Sequence, residues 1–154
     1  MVKVIGLEFQ GGHQIGDFAW MLKQDKYKNA FFIFNDNQSQ FLAHQADPKD
    51  QTGCAVGGGN AIIRPYQCES PPRAGGIPTG EYGITDGPGY PALNETVKGY
   101  IDQALASIKT AVDANGYDTV YYSGDGSGGL GHGIFNPCED VKAYIVKGIE
   151  SLAT

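Results

Sequence analysis

No stretch of this chain approaches the roughly 18 apolar residues that a membrane-spanning helix needs. The first ten residues carry Lys3 and Glu8 where a secretory signal would hold an apolar core. These absences lead to the expectation of a cytoplasmic protein with no membrane partner. Cysteine is scarce, and Cys54, Cys68 and Cys138 are an odd set with neither CxxC nor Cys/His ligand spacing. That argues against a disulfide framework and against a zinc site, so the three read as ordinary thiols and no metal is expected. Positive charge is also short: 11 Lys and Arg against 17 Asp and Glu leave a net charge of -6. Such a chain repels long polyanions, and no local basic patch offsets this, so no nucleic-acid partner is expected. A small anion remains compatible, because a few backbone N–H groups and one arginine can hold it whatever the global charge.

What is present fits one domain. The 154 residues, 41% hydrophobic and 18% charged, are enough to bury a core of their own over residues 1–154. The abundant residue is glycine, at 23 positions that cluster rather than repeat. Clustered glycine marks shaped loops whose backbone can approach a ligand closely.

Val2, Val4, Leu7 and Phe9 suit a first strand ending at Gly11-Gly12, and Phe18–Leu22 suits a short helix that shows Trp20 and Met21 to the core. The run NAFFIF over Asn29–Phe34, bounded by Asn35, Asp36 and Asn37, predicts a buried central strand. Gln38–Ala55 reads as polar and irregular, with a turn at Asp47-Pro48, before a glycine loop that feeds a helix N-terminus. Cys68–Pro91, rich in proline and glycine, reads as loop with a short strand around Gly76–Thr79. Apolar residues from Leu93 to Val112 recur at helical spacing and stop at Asn115-Gly116. A strand over Asp118–Ser123 leads through another glycine loop to a last helix, with Asn136 as its N-cap and Pro137 at its first position. Strand, glycine loop and helix in alternation predict an α/β fold with a parallel or mixed sheet, helices on its faces and ligands beyond the strand carboxyl ends.

Two constellations carry the candidate chemistry. One joins Asn35, Asp36 and Asn37 to the loop Gly57, Gly58, Gly59 and Asn60, where polar strand-end side chains meet a backbone cradle. The other is SGDGSGGLGHGIF over Ser123–Phe135, whose amides from Asp125 through Gly126, Ser127, Gly128, Gly129, Leu130 and Gly131 could wrap a diphosphate. As plain connections, the first would be an Asx-rich turn and the second a loose loop. Arg64 could pair with a phosphate or a carboxylate. His132 could donate or take a proton, or simply hydrogen-bond a ligand, and Phe135 closes the loop with an aromatic ring. Asp36 and Asp125 could face each other as a carboxylate pair, although capping of loop amides is the simpler use of each.

The order of a strand ending in NDN, then GGGNAIIR, then a late GDGSGG loop before the last helix resembles a macro domain. That resemblance implies a three-layer macro-domain-like or Rossmann-like mixed sheet that binds ADP-ribose. Asn35, Asn37 and Gly57–Gly59 would enclose the distal ribose, and Gly126–Gly131 the diphosphate. The register of the final loop leaves Gly126-Ser127-Gly128 and Gly133-Ile134-Phe135 as alternatives for the second role. The chain is also similar to a group of bacterial and phage proteins that combine an aromatic strand ending in Asp-Asn with GGxAxIR and GIPT, here Phe34–Asn37, Gly58–Arg64 and Gly76–Thr79. This likeness implies a phage sponge for an immune signalling nucleotide, acting in the host cytoplasm. The expected partner is thus a small ADP-ribose-like, NAD-derived or cyclic nucleotide, with no cofactor. The alternatives are a hydrolase of ADP-ribose derivatives and a protein-interaction module.

Overall fold

The computed structural model describes residues 1–81, 89–133 and 135–154. Four strands, β1 (Lys3–Leu7), β2 (Ala30–Asn37), β3 (Ala74–Gly80) and β4 (Thr119–Ser123), form one sheet in the order β1-β4-β2-β3. Every pairing is parallel, so the described sheet is parallel rather than mixed, and all four carboxyl ends lie along one edge. The helices are α1 (Phe18–Leu22), α2 (Gln38–Ala46), α3 (Glu95–Asn115) and α4 (Glu139–Glu150), with a run of 3-10 turns over Gly59–Cys68.

β2 organises the interior. Successive side chains of a strand point to opposite faces, so Phe31 and Ile33 enter one apolar cluster while Phe32 and Phe34 enter the other. Burial on both faces explains why the strand is apolar without alternation. The first cluster is completed by Phe41 of α2, the Val97, Ile101, Ala104, Ile108 and Val112 stripe of α3, and Val141, Ile145 and Ile149 of α4. The second is completed by Phe18, Met21 and Leu22 of α1 and by Ala61 and Ile63 of the 3-10 run. Helical segments on both faces of one sheet make three layers. α3 begins where the Asn94 side chain accepts from the Val97 N–H, and ends where Gly116 takes a left-handed φ of 66° and donates to the Val112 carbonyl.

The structure departs from the sequence expectations at three further places. The stretch expected to be irregular contains α2, started by Asn37, whose side chain accepts from the Gln40 N–H. Only Phe41 of that helix is buried, so it lacks the apolar period that would have announced it. The last helix starts at Glu139 with Cys138 as its N-cap, not at Asn136. The Cys138 N–H donates to the Tyr90 carbonyl at 3.0 Å, which keeps the preceding residues out of the helix. Finally, Cys54 and Cys68 are not free thiols but form a disulfide, with Cα atoms 6.0 Å apart. The 3-10 run carries the chain back beside Cys54, a return that spacing alone does not reveal, and Cys138 is left as the free cysteine. Among the described residues no helix is long and apolar enough to cross a membrane.

Candidate functional site

A crevice opens because β2 outruns its neighbour. Its pairing with β4 stops at Phe32↔Tyr121, while its pairing with β3 continues to Asn37↔Gly80. Beyond β4, the Asn35 N–H donates to the Asn60 Oδ1 at 2.9 Å, and the Asn35 Nδ2 donates to the Gly131 carbonyl at 3.0 Å. One asparagine thus joins the loop after β2 to the loop after β4. The first candidate constellation is assembled here: Asn35, Asp36, Asn37, Gly58, Asn60 and Arg64 line a small polar pocket of about 20 Å³, with Gly133 and Phe135.

Arg64 is turned inward. Its Nε and Nη2 both donate to the Asp36 Oδ1, at 3.1 and 2.8 Å, and its Nη1 donates to the Ala55 carbonyl at 3.0 Å. Both residues are 2% exposed, so the guanidinium is committed to a carboxylate of the protein itself. Burial pushes the Asp36 carboxyl above its ordinary range, and the Arg64 charge opposes that rise. The second oxygen of Asp36 is buried without a hydrogen-bond partner among the described residues. Gly57 owes its identity to this arginine, since a Cβ there would lie 2.5 Å from Nη1. The Asn37 N–H also donates to the Asp36 Oδ1, at 2.8 Å, while the Asn37 side chain caps α2.

The long glycine loop divides in two. Asp125 Oδ1 accepts from the Ser127 N–H and hydroxyl, each at 2.8 Å, and from the Gly129 N–H at 3.0 Å. These bonds hold the exposed Asp125 carboxyl below its ordinary range. Two of the amides expected to cradle a diphosphate are therefore engaged by the loop's own carboxylate. Asp125, Gly128, Gly129 and Leu130 border a groove along α4, on the side of Lys142 and Val146, and Leu130 is a core residue at 3% exposure. Asp36 and Asp125 are each bound elsewhere and make no pair. From Gly131 onward the loop turns to the crevice, where Gly133 and Phe135 meet the polar pocket; Ile134 lies outside the described residues.

A larger cleft of about 490 Å³ adjoins the pocket and shares Asn60 and Gly133 with it. Its walls come from Phe9 beyond β1, Gly16–Ala19 at the start of α1, Gly59 and Ile62 of the 3-10 run, Ser123 ending β4, and His132. Gly59 has a φ of 57°, and a Cβ on it would face the Gly133 Cα at 3.8 Å, so two glycine backbones form the threshold between the cavities. Phe9 is 63% exposed and Ile62 49%, which puts two of the chain's exposed large apolar side chains in this cleft.

No protein-family model, curated protein or solved structure matches the chain. The site therefore stands on its own geometry. The sequence reading joins the β2 end to the triple glycine and makes Ser123–Phe135 a second cradle; the structure brings the first two together and, of the second, turns Gly131, His132, Gly133 and Phe135 to the crevice. It does not point to Phe9, Asp17, Phe18 or Ile62. The available signal was the loop after β1, where Gly11, Gly12 and Gly16 follow an apolar strand just as glycines follow β4.

Proposed function

We propose that the protein binds ADP-ribose or a related NAD-derived or cyclic nucleotide across the two joined cavities and holds it without turning it over. The observation that carries this reading is the meeting of an apolar cleft and a polar pocket at Asn60 and Gly133, beyond the carboxyl ends of parallel strands. A base ring suits the walls formed by Phe9, Phe18 and Ile62. Ribose hydroxyls suit the amide side chains of Asn35 and Asn60, and phosphate oxygens suit the glycine backbone between them. Sequestration of a signalling nucleotide is the role this binding would serve. Holding rather than hydrolysing is favoured because Asp36 is locked to Arg64 and Asp125 to its own loop.

Calorimetry tests the proposal. ADP-ribose should bind at least about tenfold tighter than adenosine, a gap of about 1.4 kcal/mol. Equal affinities would remove the phosphate from the reading. A second reading, hydrolysis of an ADP-ribose derivative, draws on the unpartnered second oxygen of Asp36, a residue that borders the polar pocket. Chromatography after incubation separates the two: intact ligand supports the binder, because binding without transition-state stabilisation gives no turnover, and repeated turnover supports the hydrolase.

A further inference from the structure

The Cys54–Cys68 disulfide closes a loop of sequence separation 14 around Gly57–Arg64, the segment that supplies Gly58, Gly59, Asn60 and Ile62 to the two cavities. Both cysteines are half-buried, so a small thiol can reach the sulfurs. The contacts around the crosslink depend on the same closure. The Gln67 Nε2 donates to the Gly53 carbonyl at 2.7 Å, and the Arg64 Nη1 donates to the Ala55 carbonyl, so each flank of the bridge is tied across the loop base. Gly53 is pressed onto α2, where a Cβ would sit 2.8 Å from the Cβ of His44. On the sheet side the segment is held by the Arg64–Asp36 pair and by buried Ala61 and Ile63, while Gly58, Gly59 and Ile62 at its tip are exposed. The exposed tip does the lining, and its base is what the disulfide fixes.

We propose that this disulfide is a redox-operated clamp on the site: oxidised, it holds Gly57–Arg64 in the geometry that completes both cavities, and reduced, it releases that segment and weakens binding. The ligand arm of the test rests on the nucleotide-binding reading; the clamp itself does not. The chemistry is thiol–disulfide exchange with a dithiol reductant. A thiolate of the reductant attacks one sulfur and displaces the other cysteine as a thiolate. The second thiol of the reductant then resolves the mixed disulfide. Cys54 and Cys68 end as thiols, the reductant ends as a disulfide, and two electrons and two protons have passed to the protein. Disulfides persist in oxidising compartments and are transient in reducing ones, so such a clamp would report the compartment in which the chain works. Cys138 caps α4 and packs against the other core cluster, which makes it the control cysteine.

The test uses the full chain in three forms: air-oxidised, reduced with dithiothreitol, and Cys54→Ser/Cys68→Ser. Hydrogen exchange read by mass spectrometry should show residues 55–67 exchanging at least about tenfold faster on reduction, with α3 unchanged. ADP-ribose affinity, by calorimetry, should fall about tenfold in parallel. The double variant should match the reduced protein and ignore reductant, and Cys138→Ser should keep the oxidised pattern. Exchange over 55–67 that stays within about twofold on reduction overturns the clamp, as does an intact mass showing three free thiols after oxidation. If the oxidised protein takes up no ADP-ribose, the nucleotide reading fails, and the exchange arm still decides the clamp. If the double variant does not fold, reduction of the wild-type chain decides it alone.

Discussion

At the scale of single residues, the buried Arg64–Asp36 pair is costly to break. Replacing one partner leaves the other charge buried without compensation, which typically costs about 3 to 5 kcal/mol. Arg64→Met should therefore lower unfolding stability by that amount in urea titrations, and Asp36→Leu/Arg64→Met should recover much of it because no buried charge remains. A double variant as unstable as the single one would mean that the site depends on the pair for more than charge balance. Asp125 is the opposite case, an exposed carboxylate that organises only its own loop. Its pKa lies below the ordinary 3.8. Its contribution is therefore fully present above that value and is lost as pH falls through the lowered folded-state value. The Ser127 and Gly129 amide resonances should shift together in that acid range, and Asp125→Ala should show the released positions already at neutral pH.

At the scale of elements, the glycine loops divide by where their missing side chains point. A Cβ on Gly133 would meet nothing within 4 Å, and Gly133 borders both cavities. Gly133→Val should thus keep stability within about 0.5 kcal/mol and weaken ADP-ribose binding about tenfold. Gly128 also faces open space, but it has a φ of 93° and lies toward α4. Gly128→Val should cost about 1 to 3 kcal/mol through backbone strain and leave affinity unchanged. Calorimetry and urea titration of the pair separate cavity from strain. The reverse pattern would move the ligand to the α4 groove. In the sheet, Phe32 of β2 is fully buried against Phe18 of α1 and stacks on Tyr121 of β4, with ring centroids 5.2 Å apart in each pair. Phe32→Ala should cost about 3 to 5 kcal/mol.

For the molecule as a whole, a ligand that bridges both cavities ties α1, the 3-10 run and the loop after β4 to one another. Present at about 100 times its dissociation constant, it should add about 2.7 kcal/mol to unfolding stability. A thermal-shift series of ADP-ribose, NAD and cyclic nucleotides reads that gain directly. A flat series would leave the protein-interaction reading. The net charge of -6 works against polyphosphates in general. With Arg64 neutralised by Asp36, any selectivity for phosphate must come from backbone amides rather than from a free guanidinium.

Local physics was legible in the chain. The unbroken run of Phe31–Phe34 is read as a strand because only a strand covered on both faces has no polar side. The apolar period and Gly116 stop of α3, and the strand before the Asp125 loop, follow from side-chain spacing and backbone conformation within a few residues. What could not be read involved partners distant in sequence. Asn35 meets Gly131 across 96 positions and Asp36 takes Arg64 across 28, so whether a polar residue faces a ligand or the protein is set by which one arrives first. The Cys54–Cys68 bond and the Phe9–Ile62 cleft have the same origin. Spacing along a chain does not encode closure in space. The sequence by itself determined the α/β alternation and the glycine loops at strand ends. Only the tertiary structure decided which loop faces the crevice, because that depends on β2 outrunning β4 and on Asp125 and Arg64 finding their partners inside the protein.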